Sequence, residues 1–182
     1  MGDPVEWKEA DRRLTRRVAG WESPLARRFL PKLESAAEHT KLWWCAAAVM
    51  AAAGGVRGKT AAVAGLAGMG MAELLSNAVC KQLYDRRRPP EGLIPHDDVH
   101  PRPDSSSFPS GHTAAAVGFT VAAAGAWPGA AAVCAVPAAL VAVERVHSGA
   151  HYPSDVAAGA VIGLATGLLV RRSPGLLVRH LP

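Results

Sequence analysis

Long apolar stretches of this chain contain no charged residue except Glu73, and these stretches predict its helices. Four apolar runs follow a polar amino-terminal segment: Leu42 to Val56, Thr60 to Val79, Thr113 to Val143 and Val156 to Val170. The turn signal Trp127-Pro128-Gly129 interrupts the longest run, which therefore divides into two helices. Apolar runs of roughly 20 residues are long enough to cross the hydrocarbon core of a bilayer. The pattern predicts about five membrane-spanning helices.

Residues 4–38 have a different pattern, in which charged residues surround a regularly spaced apolar series. The members of the series are three, four or seven residues apart: Trp7, Leu14, Val18, Trp21, Leu25, Phe29 and Leu33. Such spacings place apolar side chains on one face of a helix. Pro24 and Pro31 interrupt the series, so we expect two or three short interfacial helices on the membrane surface.

Together these patterns predict an all-α fold, a membrane-embedded helical bundle in three parts. Residues 1–41 form the amphipathic interfacial segment, residues 42–172 the membrane domain, and residues 173–182 a basic tail. The proline-rich segment from Lys81 to Phe108 predicts a loop within the membrane domain. The first 40 residues lack the apolar core of a secretory signal peptide, so we expect insertion through the internal spans.

Composition supports a membrane setting. Apolar residues make up 49% of the 182 residues, but aromatic residues only 5%, and Ala and Gly are abundant. Small residues allow membrane helices to approach each other closely. The net charge of +5 predicts contact with anionic lipid and no nucleic acid, because the basic residues flank apolar runs and no nucleic-acid motif occurs. Cys45, Cys80 and Cys134 form no CxxC pair and are interpreted as packing thiols.

Two groups of polar residues flank the predicted loop. Lys81 and Arg88-Pro89 follow the second apolar run. If the helix continues to Arg88, positions seven apart share a face and the two cations converge. Pro109-Ser110-Gly111-His112 immediately precedes the next apolar helix. Free backbone N–H groups and the helix dipole favour an anion at such a place, and Gly111 allows a phosphate to approach the backbone.

A third group contains Arg145, His151 and Asp155. Asp155 lies four positions after His151, so its carboxylate is placed to hold the imidazole ring. Each of the three groups alone has an ordinary interpretation, as membrane anchors, a helix cap or a structural histidine. Together they supply three cations, two histidines, one carboxylate and a helix N-terminus, which is a full set for phosphoryl transfer.

The order of these groups resembles the type 2 phosphatidic acid phosphatase family. The matching pattern is Lys81-x6-Arg88-Pro89, then Pro109-Ser110-Gly111-His112, then Arg145-x5-His151-x3-Asp155. The resemblance covers roughly residues 81–163, and the first 40 residues lie outside it. A pattern in three parts is much more specific than a single glycine motif.

The resemblance implies a mechanism. His151 attacks phosphorus, Asp155 orients its imidazole, and His112 protonates the leaving oxygen and later activates water. Five residues bind the phosphate in this scheme: Lys81, Arg88, Ser110, Gly111 and Arg145. No metal and no cofactor takes part.

Glu144 departs from the family pattern, in which a serine usually precedes the arginine of the third group. A carboxylate that faced the phosphate would repel it. We therefore expect Glu144 to point away from the phosphate or to pair with an arginine.

The resemblance also implies the substrate and the setting. The implied substrate is a lipid phosphate. Polyprenyl phosphates or pyrophosphates rank slightly ahead of phosphatidic acid and phosphatidylglycerol phosphate, because the chain is short and rich in Ala and Gly. With five spans, the amino end, all three groups and most Lys and Arg residues share one side of the membrane. The positive-inside rule then places the site on the cytoplasmic side of the cell membrane. The oligomeric state is left open.

Two alternative functions use the same residues. A vanadium-dependent haloperoxidase would coordinate vanadate through His151, but those enzymes are soluble and larger. A non-catalytic lipid-binding bundle would not require His112, His151 and Asp155 to be intact. Both alternatives fit the chain less well than a phosphatase.

Two further groups of polar residues each have two interpretations. Glu73, Asn77 and Lys81 recur every four residues on one predicted helical face, where helix pairing and a functional role are equally favoured. The segment from His96 to His100 has the composition of a metal site, but it lies in the proline-rich loop and is interpreted as solvated.

Overall fold

The computed structural model describes residues 4–21, 23–95 and 105–172. These residues form seven helices and no strand: α1 (Pro4–Ala19), α2 (Pro24–Ala37), α3 (Lys41–Ala53), α4 (Gly55–Leu83), α5 (Gly111–Ala123), α6 (Pro128–His147) and α7 (Pro153–Arg172). By length and composition, α4, α6 and α7 qualify to cross a membrane. The other two apolar helices, α3 and α5, have 13 residues each. The prediction of a membrane-embedded all-α bundle is confirmed; the predicted basic tail lies outside the described residues.

Helix α5 lies at the centre of the bundle and contacts α4, α6 and α7. Glycines allow the closest approaches: a Cβ atom at Gly163 of α7 would lie 2.5 Å from the Ala114 carbonyl oxygen, and one at Gly68 of α4 would lie 2.5 Å from the Gly118 carbonyl oxygen. The abundance of small residues therefore has the predicted role in helix contact. The start of α5 carries one of the three sequence groups, so these contacts also fix the site.

The amino-terminal segment forms two helices, because Pro24 begins α2 and Pro31 lies inside it without ending it. On α1, the residues that face the bundle are Asp11, Thr15 and Ala19, each at most 4% exposed. The apolar side chains Trp7, Leu14 and Trp21 remain 47–57% exposed. Their arrangement agrees with an interfacial helix, whose apolar face contacts lipid and whose narrow polar and small face contacts protein.

Helix α4 ends before Arg88, so it does not contain both Lys81 and Arg88 as expected from the sequence. It adopts π-helical hydrogen bonding over Leu74–Cys80 and ends at Leu83. Tyr84 is extended, and residues 85–88 have no regular secondary structure. Arg88 precedes Pro89, and a residue before proline disfavours the helical conformation. The expectation that Lys81 and Arg88 share a helical face is therefore wrong.

The π-helical turn also changes the spacing of polar residues along α4. It lies between Glu73 and Lys81 and contains Asn77, so the three residues are not spaced as in a regular α-helix. Asn77 lies against the start of α5, where a Cβ atom at Gly111 would be 2.8 Å from the Asn77 Oδ1 atom. The segment from His96 to His100 lies outside the described residues.

Candidate active site

His151 lies in the short connection between α6 and α7 and is 3% exposed. Its Nδ1 atom is 2.6 Å from the carbonyl oxygen of Ser107. A carbonyl oxygen only accepts hydrogen bonds, so the proton is assigned to Nδ1 and the lone pair to Nε2. The backbone N–H of His151 donates to the Arg145 carbonyl oxygen at 2.9 Å, which ties the connection to the end of α6. The ring therefore has a fixed orientation, with its lone pair on Nε2.

Burial lowers the pKa of His151 well below the ordinary value for histidine. The positive charge of Arg88 lowers this pKa further, and Arg145 and Lys81 contribute in the same direction, while the hydrogen bond to Ser107 opposes them. The structure thus brings the three predicted phosphate-binding cations close enough to act on one imidazole. The lowered pKa favours the neutral form of that imidazole.

Asp155 is fully buried in the first turn of α7. Its Oδ2 atom accepts a hydrogen bond from the Tyr152 backbone N–H at 2.9 Å and lies 3.9 Å from His151 Nδ1. The distance is too long for a hydrogen bond. In this structure the Ser107 carbonyl oxygen is the hydrogen-bond partner of the ring, while the Asp155 carboxylate lies beside the ring and binds the turn that carries the histidine. The orienting role of Asp155 stays a prediction.

Arg88 is held beside this turn by its guanidinium group. Nη1 donates to the Ala150 carbonyl oxygen at 2.7 Å, and Nη2 donates to the Ser105 hydroxyl at 3.3 Å. Since Ala150 immediately precedes His151, the contact explains why Arg88 is the strongest single charge at the imidazole. Lys81 lies at the carboxyl end of α4 and is partly buried.

Arg145 is paired with two carboxylates. Its Nε atom forms an ion pair with Glu144, which is 3% exposed. Its Nη2 atom lies 2.6 Å from Oε1 of Glu34 on α2. The expectation that Glu144 pairs with an arginine is confirmed, and Glu34 is an additional residue that the sequence motifs did not indicate.

The start of α5 is arranged differently from the expectation for Ser110. The Ser110 hydroxyl is fully buried, accepts the Thr113 backbone N–H at 3.4 Å and lies 3.0 Å from the Thr113 hydroxyl. Ser110 is therefore the helix cap, and its side chain is occupied by that contact. The first backbone N–H groups of α5, which include those of Gly111 and His112, are the donors that a helix N-terminus offers to an anion. The His112 side chain is partly exposed.

Among the described residues, no group of three or more His, Cys, Asp and Glu side chains is placed to hold a metal ion. The groups that the site does contain are a neutral imidazole, a second histidine, cations and backbone N–H groups. This combination suits the transfer of a phosphoryl group, because fixed positive charge stabilises the negative charge on the equatorial oxygens.

Comparison with known proteins agrees with this geometry. The sequence profile of the PAP2 superfamily matches residues 61–178. A transmembrane PAP2-type phosphatidylglycerolphosphate phosphatase from Bacillus subtilis aligns with a TM-score of 0.72 and 23% identity, over 97% of this chain and 90% of that one. LpxE from Aquifex aeolicus aligns with a TM-score of 0.67 and 23% identity, over 88% of this chain and 93% of that one. A search of curated proteins gives no significant match. The helical fold and the match over most of the chain show that this protein belongs to the PAP2 superfamily.

Proposed function

We propose that this protein is a lipid phosphatase that hydrolyses a phosphomonoester or pyrophosphate of a membrane lipid through a phosphohistidine on His151. The observation that carries the proposal is the state of this residue: a buried, neutral imidazole whose Nδ1 is bonded to the Ser107 carbonyl oxygen and whose surroundings carry positive charge. A phosphorylated imidazole needs such cations, because they neutralise the phosphate oxygens during attack.

In the first step, Nε2 of His151 attacks phosphorus while the bond from phosphorus to the leaving oxygen breaks. Protonated His112 gives its proton to that oxygen. In the second step, His112 takes a proton from water, the water oxygen attacks phosphorus, and the bond from phosphorus to Nε2 breaks. Inorganic phosphate leaves, and both histidines return to their starting states.

Lys81, Arg88 and Arg145 bind the phosphate in this proposal, together with the backbone N–H groups at the start of α5. The positive charges of the three cations already act on His151. Ser110 supports them indirectly, since its hydroxyl caps the helix that presents the N–H groups. Arg145 must exchange a carboxylate contact for phosphate, or bind the phosphate with its remaining donors.

An apolar groove next to the site supports a lipid substrate. A cavity of about 440 Å³ lies between α1 and the ends of α6 and α7, and its lining includes Leu14, Trp21, Val146 and Val156. Val146 follows Arg145 and Val156 follows Asp155 in the chain. A hydrocarbon tail in this groove would lie close to the helix ends that carry the phosphate site.

The function is tested by phosphate release from lipid phosphates in detergent. The panel contains a polyprenyl phosphate and its pyrophosphate, phosphatidic acid and phosphatidylglycerol phosphate, the last because the Bacillus subtilis protein is named for it. Release with and without EDTA should be equal, and His151→Ala should abolish it. Activity that survives in His151→Ala contradicts the phosphohistidine, and release that needs a divalent cation contradicts the metal-independent mechanism. Nothing in the contacts or the comparisons supports a haloperoxidase or a binding-only bundle.

The cytoplasmic location of the site is a separate part of the proposal. Glu91 lies in the loop that follows α4, on the side of the site, and Lys59 lies near the other end of the same helix; both are exposed. Single cysteines at these positions, in a chain without Cys45, Cys80 and Cys134, should react differently with a membrane-impermeant maleimide on intact cells. Labelling at position 59 and protection at position 91 is the expected result; the reverse would place the site outside.

A further inference from the structure

Asp11 on α1 reaches the site from outside the region that matches the superfamily. Its side chain is 4% exposed. Oδ2 accepts a hydrogen bond from Arg86 Nη2 at 2.7 Å, and Oδ1 accepts one from the Ser154 backbone N–H at 3.0 Å. The Ser154 hydroxyl also donates to Oδ2. These donors fix a buried carboxylate between α1 and the start of α7.

Arg86 connects Asp11 to Asp155. While Nη2 contacts Asp11, Nη1 lies 2.5 Å from Asp155 Oδ1 and donates to the Ser154 hydroxyl at 2.7 Å. The guanidinium carbon lies 4.2 Å from the centroid of the Tyr152 ring, a cation–π arrangement. Burial alone would lower the pKa of Arg86, but its contacts with the two carboxylates raise this pKa above its ordinary value. The arginine therefore stays charged between two acidic partners.

Hydrogen bonds of the backbone also link Arg86 to His151. The Arg86 carbonyl oxygen accepts the Ser107 backbone N–H at 2.9 Å, and the Ser107 carbonyl oxygen is the partner of His151 Nδ1 at 2.6 Å. By the side-chain route, Arg86 contacts Asp155, which accepts the backbone N–H of Tyr152, the residue after His151. A displacement of Arg86 would thus move both the acceptor that orients the ring and the turn that carries it.

We propose that Arg86 is a positioning residue for His151 and that Asp11 holds Arg86 in place. The inference rests on the proposed function, in which Nε2 attacks phosphorus. Attack must be in line with the bond that breaks, and small displacements of the attacking atom lower the rate steeply. Helix α1 therefore controls the chemical step through residues that do not touch the phosphate.

The kinetic test uses Asp11→Asn, which keeps the size of the side chain and removes the charge that holds Arg86. We expect kcat to fall by about 10- to 100-fold, with KM and the inhibition constant of inorganic phosphate unchanged, because the phosphate-binding cations remain. Arg86→Lys should behave alike, since an ammonium group cannot bridge two carboxylates as a guanidinium does. The control Glu6→Gln removes an exposed carboxylate from the same helix and should leave kcat unchanged.

Two results of this test would overturn the inference. The first is an unchanged kcat in folded Asp11→Asn protein. The second is a loss that lies in KM, which would point to binding of the phosphate. A kcat that falls only in proportion to the unfolded fraction, measured by thermal unfolding in detergent, would likewise reduce Asp11 to a structural role and contradict the inference.

A double-mutant cycle separates this inference from the proposed function. Asp11 and Asp155 are linked by Arg86, so the shifts in unfolding temperature of Asp11→Asn and Asp155→Asn should not add in the double variant. Additive shifts would overturn the link whatever the activity shows. Activity that survives in His151→Ala would instead contradict the proposed function, while the cycle would still report on the link.

Discussion

The helix bundle and the two amino-terminal helices meet at the site with opposite charges. The bundle contributes the cations Lys81, Arg88 and Arg145, whose charges act on His151. The amino-terminal helices contribute the carboxylates Asp11 and Glu34, which pair with Arg86 and Arg145. In the proposed mechanism, the bundle supplies the residues that act on the phosphate, and the amino-terminal helices supply carboxylates that pair with arginines beside it. Variants in the bundle should therefore abolish activity, whereas variants in the amino-terminal helices should adjust it.

The largest effect is expected from Arg88→Gln. Arg88 contacts the Ala150 carbonyl oxygen beside His151, so the change removes both a phosphate-binding charge and a support of the turn. We expect kcat/KM to fall by about 10³-fold, as for the loss of one preorganised charged donor. Phosphate release from a lipid phosphate measures the effect, and Arg87→Gln, at an exposed neighbouring position, is the control. A loss below tenfold would show that Arg88 does not bind the transferred phosphate.

A smaller effect is expected from Glu34→Gln on α2. Glu34 lies 2.6 Å from Arg145, so in the proposed mechanism it competes with phosphate for this arginine. Removal of its charge should lower the inhibition constant of inorganic phosphate by about fivefold, on the scale of one partly exposed ion pair. Glu38→Gln, which changes an exposed carboxylate near the end of the same helix, is the matched control. Weaker inhibition would mean that Glu34 positions Arg145 for the phosphate.

The pH dependence should show the effect of burial on His151. Because burial and the nearby cations lower its pKa, the neutral nucleophile persists as the pH falls through the ordinary histidine value of about 6.5. The acid limb of the pH profile of kcat/KM should therefore have its midpoint below that value. In the residual activity of Arg88→Gln, the limb should move to higher pH, because one cation is lost. The second pKa of the substrate phosphate is measured separately by phosphorus NMR. An acid limb of the kcat/KM profile that follows only this pKa would contradict the prediction.

The sequence predicted the fold and the place of the candidate site better than it predicted the contacts that support this site. Uncharged runs and small residues indicated the membrane bundle, since both follow from the cost of burying charge in lipid and the need for close helix contact. The motif order placed Arg88, Arg145 and His151 around one position, although Lys81 and Arg88 do not share a helical face as expected.

The supporting residues were missed for a physical reason. Asp11 and Arg86 are 75 residues apart in sequence, and a contact at such a separation leaves no periodic signal along the chain. The apolar spacing on α1 indicated the face that meets lipid, whereas the face that meets the bundle is the polar and small one with Asp11 and Thr15. The Ser107 carbonyl oxygen was missed because a backbone acceptor has no side-chain identity to find.

The most direct test of the central claim, that His151 is the nucleophile, is to trap the phosphoenzyme in His112→Ala. With 4-nitrophenyl phosphate the leaving group needs no proton, so the first step should proceed while the water attack, which needs His112 as base, is slow. Alkaline quenching and peptide mass spectrometry should then find phosphate on His151. Phosphate on another residue, or no phosphopeptide despite a burst of 4-nitrophenolate, would contradict the claim.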